Sequence, residues 1–527
     1  MAMMWARPAA LGMALGMALA SGGAAAQTLT VGVQAPFGID PHFVFLGPNM
    51  AAARHIYDTL VNRDADSRWV PGLTLSWTPV EDRVWEFKLR PGVTFQDGTP
   101  FTADDVAFSL ARIPNVPNNP GPYTPNLRGI TRVEVVDPLT LRLHTNQPNP
   151  VLPGQLTNVF IVSRRAAEGA TTSDFNAGRA AIGTGPFRLE QMRGGEGMTV
   201  ARNDTYWGER AAWSRVQLRV VGNDAARMAA LLAGDLDLIE EVPTTDAERL
   251  ERTGRVNVFR KPSDRVMFLL PHVGAEQLAL FTDAEGRPLD HNPFRDLRVR
   301  QALSLAINRM ALVERAMDGQ AVAAGQLVPE GFGGFDPGLG VPPYDPDRAR
   351  RLLAEAGYPQ GFGFTLGCSN NRYVNDARIC QALGQMFARA GFLAKVETQP
   401  GSVFFPRTQV GRNDVPLVLF GQSSSSTRDA THVLSLAMHS QQVAQGFGQS
   451  NRGAFADARL DTLIRDAAFR MQGDREEALR VAMREAMRLH AGIPLYTQMV
   501  VAAARRGITY TPRLDEQMVA IHARPTP

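Results

Sequence analysis

The 527-residue chain lacks the local signatures of most enzymes. It has no GxSxG nucleophile elbow, no HExxH, no P-loop and no GxGxxG following a strand, which excludes the forms of hydrolase, zinc-protease, nucleotidase and dehydrogenase chemistry that announce themselves in sequence. Its nine histidines, among them His42, His55, His272, His432 and His490, include no pair at metal-ligand spacing, so neither a metal site nor a cofactor is expected. The acid pairs Asp104–Asp105 and Glu240–Glu241 are adjacent, and adjacent residues do not share a helix face; they read as a helix start and a solvated strand end. Only two cysteines occur, Cys368 and Cys380, without CxxC spacing. A disulfide and two unpaired thiols are both open readings, because a bridge needs Cα atoms about 4.4–6.8 Å apart and spacing alone does not give that distance. A net charge of +3, with basic residues spread along the chain, argues against a polyanionic partner such as nucleic acid. Beyond the N-terminus no uninterrupted apolar run reaches the ~18 residues of a membrane span.

That N-terminus has its own pattern. Arg7 precedes an apolar run from Ala9 to Ala20, and the small residues Ser21 to Ala26 end in Ala24-x-Ala26, which reads as a secretory signal peptide over residues 1–26. No cysteine follows the cleavage pattern, so an exported, soluble protein without a lipid anchor is expected. About 500 mature residues exceed one core and imply two or three domains.

Periodicity supplies the elements. Leu29–Val33 reads as a strand, and a helix from about Asn49 places Met50, Ala53, Tyr57 and Leu60 on one face. Trp85, Phe87 and Leu89 alternate with charges as a strand, turns follow at Pro91-Gly92 and Asp97-Gly98, and Thr102 caps a helix opened by Asp104 and Asp105. A hairpin spans Val133–Val136 and Leu139–Leu143. Val216–Val220 leads to a helix capped by Asn223 or Asp224 and stopped at Gly234. Residues Asn292–Gly319 read as helical, followed by alternating helices and strands: Asp345–Glu355, Phe362–Leu366, Asn375–Ala390, Leu393–Glu397. The strand Val415–Gly421 ends in a polar loop, Gln422 and Ser423–Ser426, at the kind of strand end where open α/β sheets bind ligands. Two helices, Leu460–Met471 and Asp474–His490, precede a last strand at Pro494–Val500. The fold class is α/β.

Longer blocks carry a resemblance. PGLTLSW (71–77) and VWEFKLRPGVTFQDGTPFTADDVAFSLAR (84–112), then GTGPF (183–187), NDTYWG (203–208), LLAGDLDL (231–238), FRDLRVRQALSLAINR (294–309), ARRLLAEAGY (349–358), NRYVND (371–376) and IPL (493–495) resemble, in order, the peptide/nickel/oligopeptide family of extracellular solute-binding proteins, solute-binding protein family 5. The resemblance implies a two-lobed, type II-like periplasmic-binding-protein clamp with an extra inserted subdomain: residues 27–56, 182–262 and 496–527 as lobe I, 57–181 as its insertion, 263–495 as lobe II. It implies a monomer that is not an enzyme, captures a peptide-like or other small organic solute between the lobes, and delivers it to an ABC permease and ATPase complex.

Residue by residue, the resemblance places Arg372 where dipeptide-binding relatives hold the solute carboxylate, a task suited to a bidentate guanidinium. Asn371, Tyr373, Gly421, Gln422, Ser423, Ser424, Phe37 and Tyr496 complete the expected ligand-binding set. The aspartate with which those relatives hold the solute's amine is missing: Gln422–Ser424 stand in its place, with no acid until Asp429. That departure favours a solute without an obligatory amine. A nickel, metallophore or haem carrier of the same fold is the alternative, and a secreted hydrolase a more distant one.

Overall fold

The computed structural model describes residues 28–526; the expected leader lies outside them. Eleven strands form one sheet: β1 (Thr28–Val33), β2 (Phe187–Arg193), β3 (Gly197–Arg202), β4 (Arg215–Val220), β5 (Leu238–Ile239), β6 (Val256–Pro271), β7 (Ala321–Ala323), β8 (Gly363–Ser369), β9 (Leu393–Gln399), β10 (Leu417–Ser423) and β11 (Ile493–Arg505). Their order is β9-β8-β10-β6-β11-β5-β1-β4-β3-β2, with β7 paired on β11. At one end β1 runs parallel to β4 and β5; at the other β8 runs parallel to β9 and β10. These are two α/β units, as the alternation of strand and helix predicts.

What joins them is the antiparallel pair β6 and β11, each long enough to serve both units. Residues 256–262 of β6 pair with 499–505 of β11, and 266–269 with 493–497, and the register breaks between Pro262 and Val266. Ser263, Asp264 and Arg265 bulge out opposite Gln498, and such a bulge bends a strand and re-aims its side chains. Outside this sheet, Thr74–Glu81, Val84–Leu89, Thr140–Thr145 and Ile130–Asp137 form a separate four-stranded antiparallel sheet within the expected insertion.

Burial follows the strand pattern. One core gathers β1, β3 and β4 with the insertion, through Leu29, Val31, Phe87, Leu141 and Phe187. Two more lie on opposite faces of the second unit: Met267, Leu269, Leu366 and Phe387 on one side, Phe268, Leu270, Leu460 and Met483 on the other. The alternation of 267 and 269 against 268 and 270 is the period-2 signature of a strand with helices on both faces.

Local chemistry accounts for most helix ends. Thr102 and Asp105 form a capping box, Asn223 accepts from the Ala226 amide, and Gly234 closes its helix at φ 91°, a left-handed geometry that costs glycine no Cβ clash. Three expectations change. The first helix ends at Ile56, and Tyr57 and Leu60 are buried from extended or irregular backbone, since a three-to-four-residue spacing of apolar groups serves a core whatever the backbone does. Residues 292–319 are not one helix: Leu297–Leu305 stops, a second start is capped by Asn308, which accepts from the Ala311 amide, and the Arg309 side chain turns inward to donate to the carbonyls of Pro494, Ser304 and Ile307. Finally, β10 runs two residues past Gly421, so Gln422 and Ser423 belong to the strand; Val266 and Arg265 pair with them.

Candidate functional site

The expected site residues fall mainly where β8, β10, β6 and β11 meet. Cys368 at the end of β8 is disulfide-bonded to Cys380 in the helix Asp376–Arg389, with Cα atoms 6.6 Å apart, so the bridge brackets Asn371, Arg372 and Tyr373. Within this loop Asp376 accepts from the Ser369 hydroxyl at 2.7 Å and from the amides of Arg372 at 3.0 Å and Tyr373 at 3.2 Å. A carboxylate holding three donors fixes the turn. Tyr373 is buried, and its Oη accepts from the Gly421 amide at 3.1 Å and lies 3.3 Å from the Gly421 carbonyl. Gly421 is required there: a Cβ would come within 2.3 Å of Met267 Sδ and 3.0 Å of Tyr373 Cε1.

Arg372 itself is exposed. Its guanidinium lies 5.1 Å from the Tyr373 ring centre and makes no ion pair among the described residues. Across from it stands Glu516, from the C-terminal segment, gripped by Arg265 Nη2 at 2.8 Å and Nε at 3.1 Å and by Gln498 Nε2 at 2.6 Å. Burial raises the Glu516 carboxyl, but the charges of Arg265 and Arg372 and the hydrogen bonds from Arg265 outweigh it and hold it below its ordinary range.

Beneath this pair lies Asp264, 1% exposed, in the β6 bulge. Its Oδ2 accepts from Ser423 Oγ at 2.5 Å; Ser423 Oγ is 3.1 Å from Ser425 Oγ, which accepts from Arg63 Nη1 at 3.1 Å. Arg63 in turn pairs with Asp515 at 3.3 Å, and Asp515 with Arg513 at 2.7 Å. Burial, then the Glu516 charge, pushes the Asp264 carboxyl up to about 7.

The remaining expected residues sit at the margins. Asn371 is committed to the helix after β9, accepting from the Gly401 amide at 2.8 Å. Gln422, paired with Val266, points to the face opposite Gly421 and Ser423, and its Oε1 has no partner; neither does Ser424 Oγ nor the fully buried Tyr496 Oη. Phe37 packs into the core around β1. Asp429, the next acid along the chain, is taken up by Arg475 at 2.7 Å in a cavity of about 890 Å³ lined by Trp69, Pro150, Phe332 and Arg428 among others, and none of the expected residues lines that cavity.

Asp264, Arg265, Gln498 and Glu516 escaped sequence reasoning. Arg265 and Glu516 are 251 positions apart, and no spacing rule joins them. The one visible sign is the polar Ser263-Asp264-Arg265 directly before the apolar run Val266–Leu270. Of the acid pair expected at a solvated strand end, Glu241 is exposed just past β5 at φ 50°, whereas Glu240 is half-buried and accepts from the Gln34 amide at 3.0 Å. Among the described residues no group of three or more His, Cys, Asp or Glu is placed to hold a metal ion.

Comparison with known proteins identifies the family and the fold. The profile of bacterial extracellular solute-binding proteins, family 5 Middle, matches residues 68–445. The glutathione-binding protein GsiB of Salmonella paratyphi A is 28% identical over 513 residues, covering 95% of this chain and 94% of that protein. Among solved structures, HbpA2 from Haemophilus parasuis superposes with a TM-score of 0.79 at 22% identity, covering 95% of this chain and 100% of that one. The ABC transporter-associated periplasmic binding protein DppA from Helicobacter pylori, in complex with peptide STSA, gives 0.75 at 21%, covering 94% and 98%. These likenesses establish the two-lobed binding-protein fold.

Proposed function

Because the chain belongs to the family 5 bacterial extracellular solute-binding proteins, we propose that it captures a small, carboxylate-bearing, peptide-like solute where β6 and β11 pass between the lobes. Membership makes it the periplasmic, non-catalytic component of an ABC importer, working with a membrane permease and its ATPase. The finer reading is that residues 1–26 are removed on export and the mature chain, without a lipid anchor, diffuses freely. The lobes divide at residues 262–266 and 497–499, where the β6–β11 register breaks.

The observation that carries the solute reading is Arg372: an exposed guanidinium with no ion-pair partner among the described residues, backed by Tyr373 on a turn that Asp376 and the disulfide fix, facing a segment from the other end of the chain. A solute touching both sides binds fully only when the lobes approach, and so shifts their equilibrium by its differential affinity. The name of the GsiB relatives makes glutathione the first candidate to try. Solute at about 100 times Kd stabilises the fold by about 2.7 kcal/mol, visible as a rise in Tm, with a reduced radius of gyration in solution scattering. A panel of peptides, glutathione, opines, sugars and metal chelates that produced neither change would refute the reading.

A further inference from the structure

We infer that the cavity of about 890 Å³ between the expected insertion and the second α/β unit is a binding site, separate from the Arg372 turn, for a small organic carboxylate with a flat apolar body, and that Arg428 holds the carboxylate. The inference stands apart from the solute reading above and does not depend on it.

The cavity has walls from distant parts of the chain. Trp69 and Pro150 supply one; Phe332, Phe335 and Arg428 supply the other. The walls touch: Trp69 Nε1 donates to the Ser426 carbonyl at 3.0 Å, and Gly154 passes so close that a Cβ there would lie 2.1 Å from the same oxygen. Small-molecule sites enclose about 300–1,000 Å³, and this cavity falls in that range. It also lies on a different face from Arg372. Phe332 packs in the core with Phe268 and Leu270, whereas Tyr373, beside Arg372, packs with Met267 and Leu269 on the opposite side of β6.

Most of the charged lining is already committed. Asp429 is taken by Arg475 at 2.7 Å, Glu476 by Arg480 at 3.1 Å and the Gly334 amide at 3.0 Å, and Arg68 pairs with Asp66 at 3.3 Å. Glu330 has no ion pair among the described residues, but it is exposed, and water satisfies it. Arg428 is half-buried. Its Nε donates to the Asp66 carbonyl at 3.4 Å, and neither Nη makes a hydrogen bond or ion pair among the described residues. A charge withdrawn from water gains most from a partner. Its backbone is fixed at φ 53°, with the amide donating to the Ser424 carbonyl at 2.7 Å and the carbonyl accepting from the Gly333 amide at 3.0 Å. A non-glycine residue is kept in that region only where its surroundings over-determine it.

These groups select the ligand's chemistry. The Arg428 guanidinium lies 5.5 Å from the centre of the Phe332 ring, and its planar fork suits a carboxylate gripped by two N–H groups. Trp69, Phe335 and Pro150 offer flat apolar surface to the body behind that head. A bare inorganic anion leaves those surfaces unused, and an ammonium is repelled by Arg428.

The test is fluorine NMR of the full mature protein labelled with fluorotryptophan, the Trp69 line being assigned through Trp69→Phe. Phenylpropanoate, indolepropanoate and naphthoate are titrated, each beside its primary amide. At least one acid should shift the Trp69 line saturably, at a concentration about tenfold or more below that of its amide, the size of a charge-assisted hydrogen bond. Arg428→Ala should remove that preference. A Trp69 line that no acid moves overturns the inference, as does equal binding of acid and amide. Both results are read on wild type, so a folding failure of Arg428→Ala does not shield it. A preference that survives Arg428→Ala puts the acid at another site, the Arg372 turn included, and overturns the inference too.

Discussion

Arg372→Ala separates binding from stability because the structure gives the side chain so little to hold. Its one described side-chain contact is with the Tyr373 ring, at 5.1 Å. An exposed cation–π contact contributes about 0.5–1 kcal/mol, so the solute-free variant should unfold within about 1 kcal/mol of wild type. A carboxylate gripped by the guanidinium is worth more, about 1.5–3 kcal/mol for a hydrogen bond to a charged group. At about 1.4 kcal/mol per decade this is a loss of roughly 10- to 150-fold in Kd. Two comparisons isolate it by titration calorimetry. Amidating the solute's carboxylate should weaken wild type by a similar factor and leave Arg372→Ala unmoved, and Arg372→Lys, a point charge without the planar fork, should fall between. Raising the salt concentration should shrink the difference, since the group is exposed. Unchanged affinity in Arg372→Ala, or an amidation penalty that survives the substitution, would remove Arg372 from the site.

Other outcomes follow from the same geometry. The Asp264 carboxyl is raised from 3.8 to about 7, facing Glu516, Asp515, Arg265 and Arg63. The folded state therefore holds a proton that the unfolded state has lost, and stability falls as pH rises from about 4 to about 7. At about 1.4 kcal/mol per unit the ceiling is about 4 kcal/mol, and urea midpoints of wild type and Asp264→Asn measured across pH 5–8 should converge toward low pH and separate above it in favour of the variant; parallel curves would refute the assignment. Gly421→Ala should cost about 1–3 kcal/mol by driving a methyl into Met267 and Tyr373, with solute affinity falling as Tyr373 shifts; thermal unfolding and titration check both. Replacing both Cys368 and Cys380 by serine opens a closed segment of 12 residues and should lower stability by about 3 kcal/mol, with hydrogen exchange rising first at residues 371–375.

Elements with strong local chemistry were legible in the chain. Thr102 with Asp105, Asn223 and Gly234 bound their helices where capping rules place them. The alternation of Trp85, Phe87 and Leu89 became a strand with a buried face. Where the reading went astray, the competing demand was tertiary: Tyr57 and Leu60 are buried without a helix, and Gln422 and Ser423 are strand because Val266 and Arg265 lie beside them.

The candidate site divides along the same line. Arg372 and Tyr373 could be singled out as candidates because the ordered blocks of a family are themselves a sequence property, and the family, the α/β class and the absence of local catalytic motifs all follow from the order of residues. The disulfide, the bulge at Ser263–Arg265, the grip of Arg265 on Glu516 and the unmatched oxygens of Asp264 and Gln498 follow only from tertiary structure. A hydrogen bond or ion pair depends on separation in space, and residues 251 positions apart along the chain acquire one only when two long strands bring both ends of the protein to the same crossing.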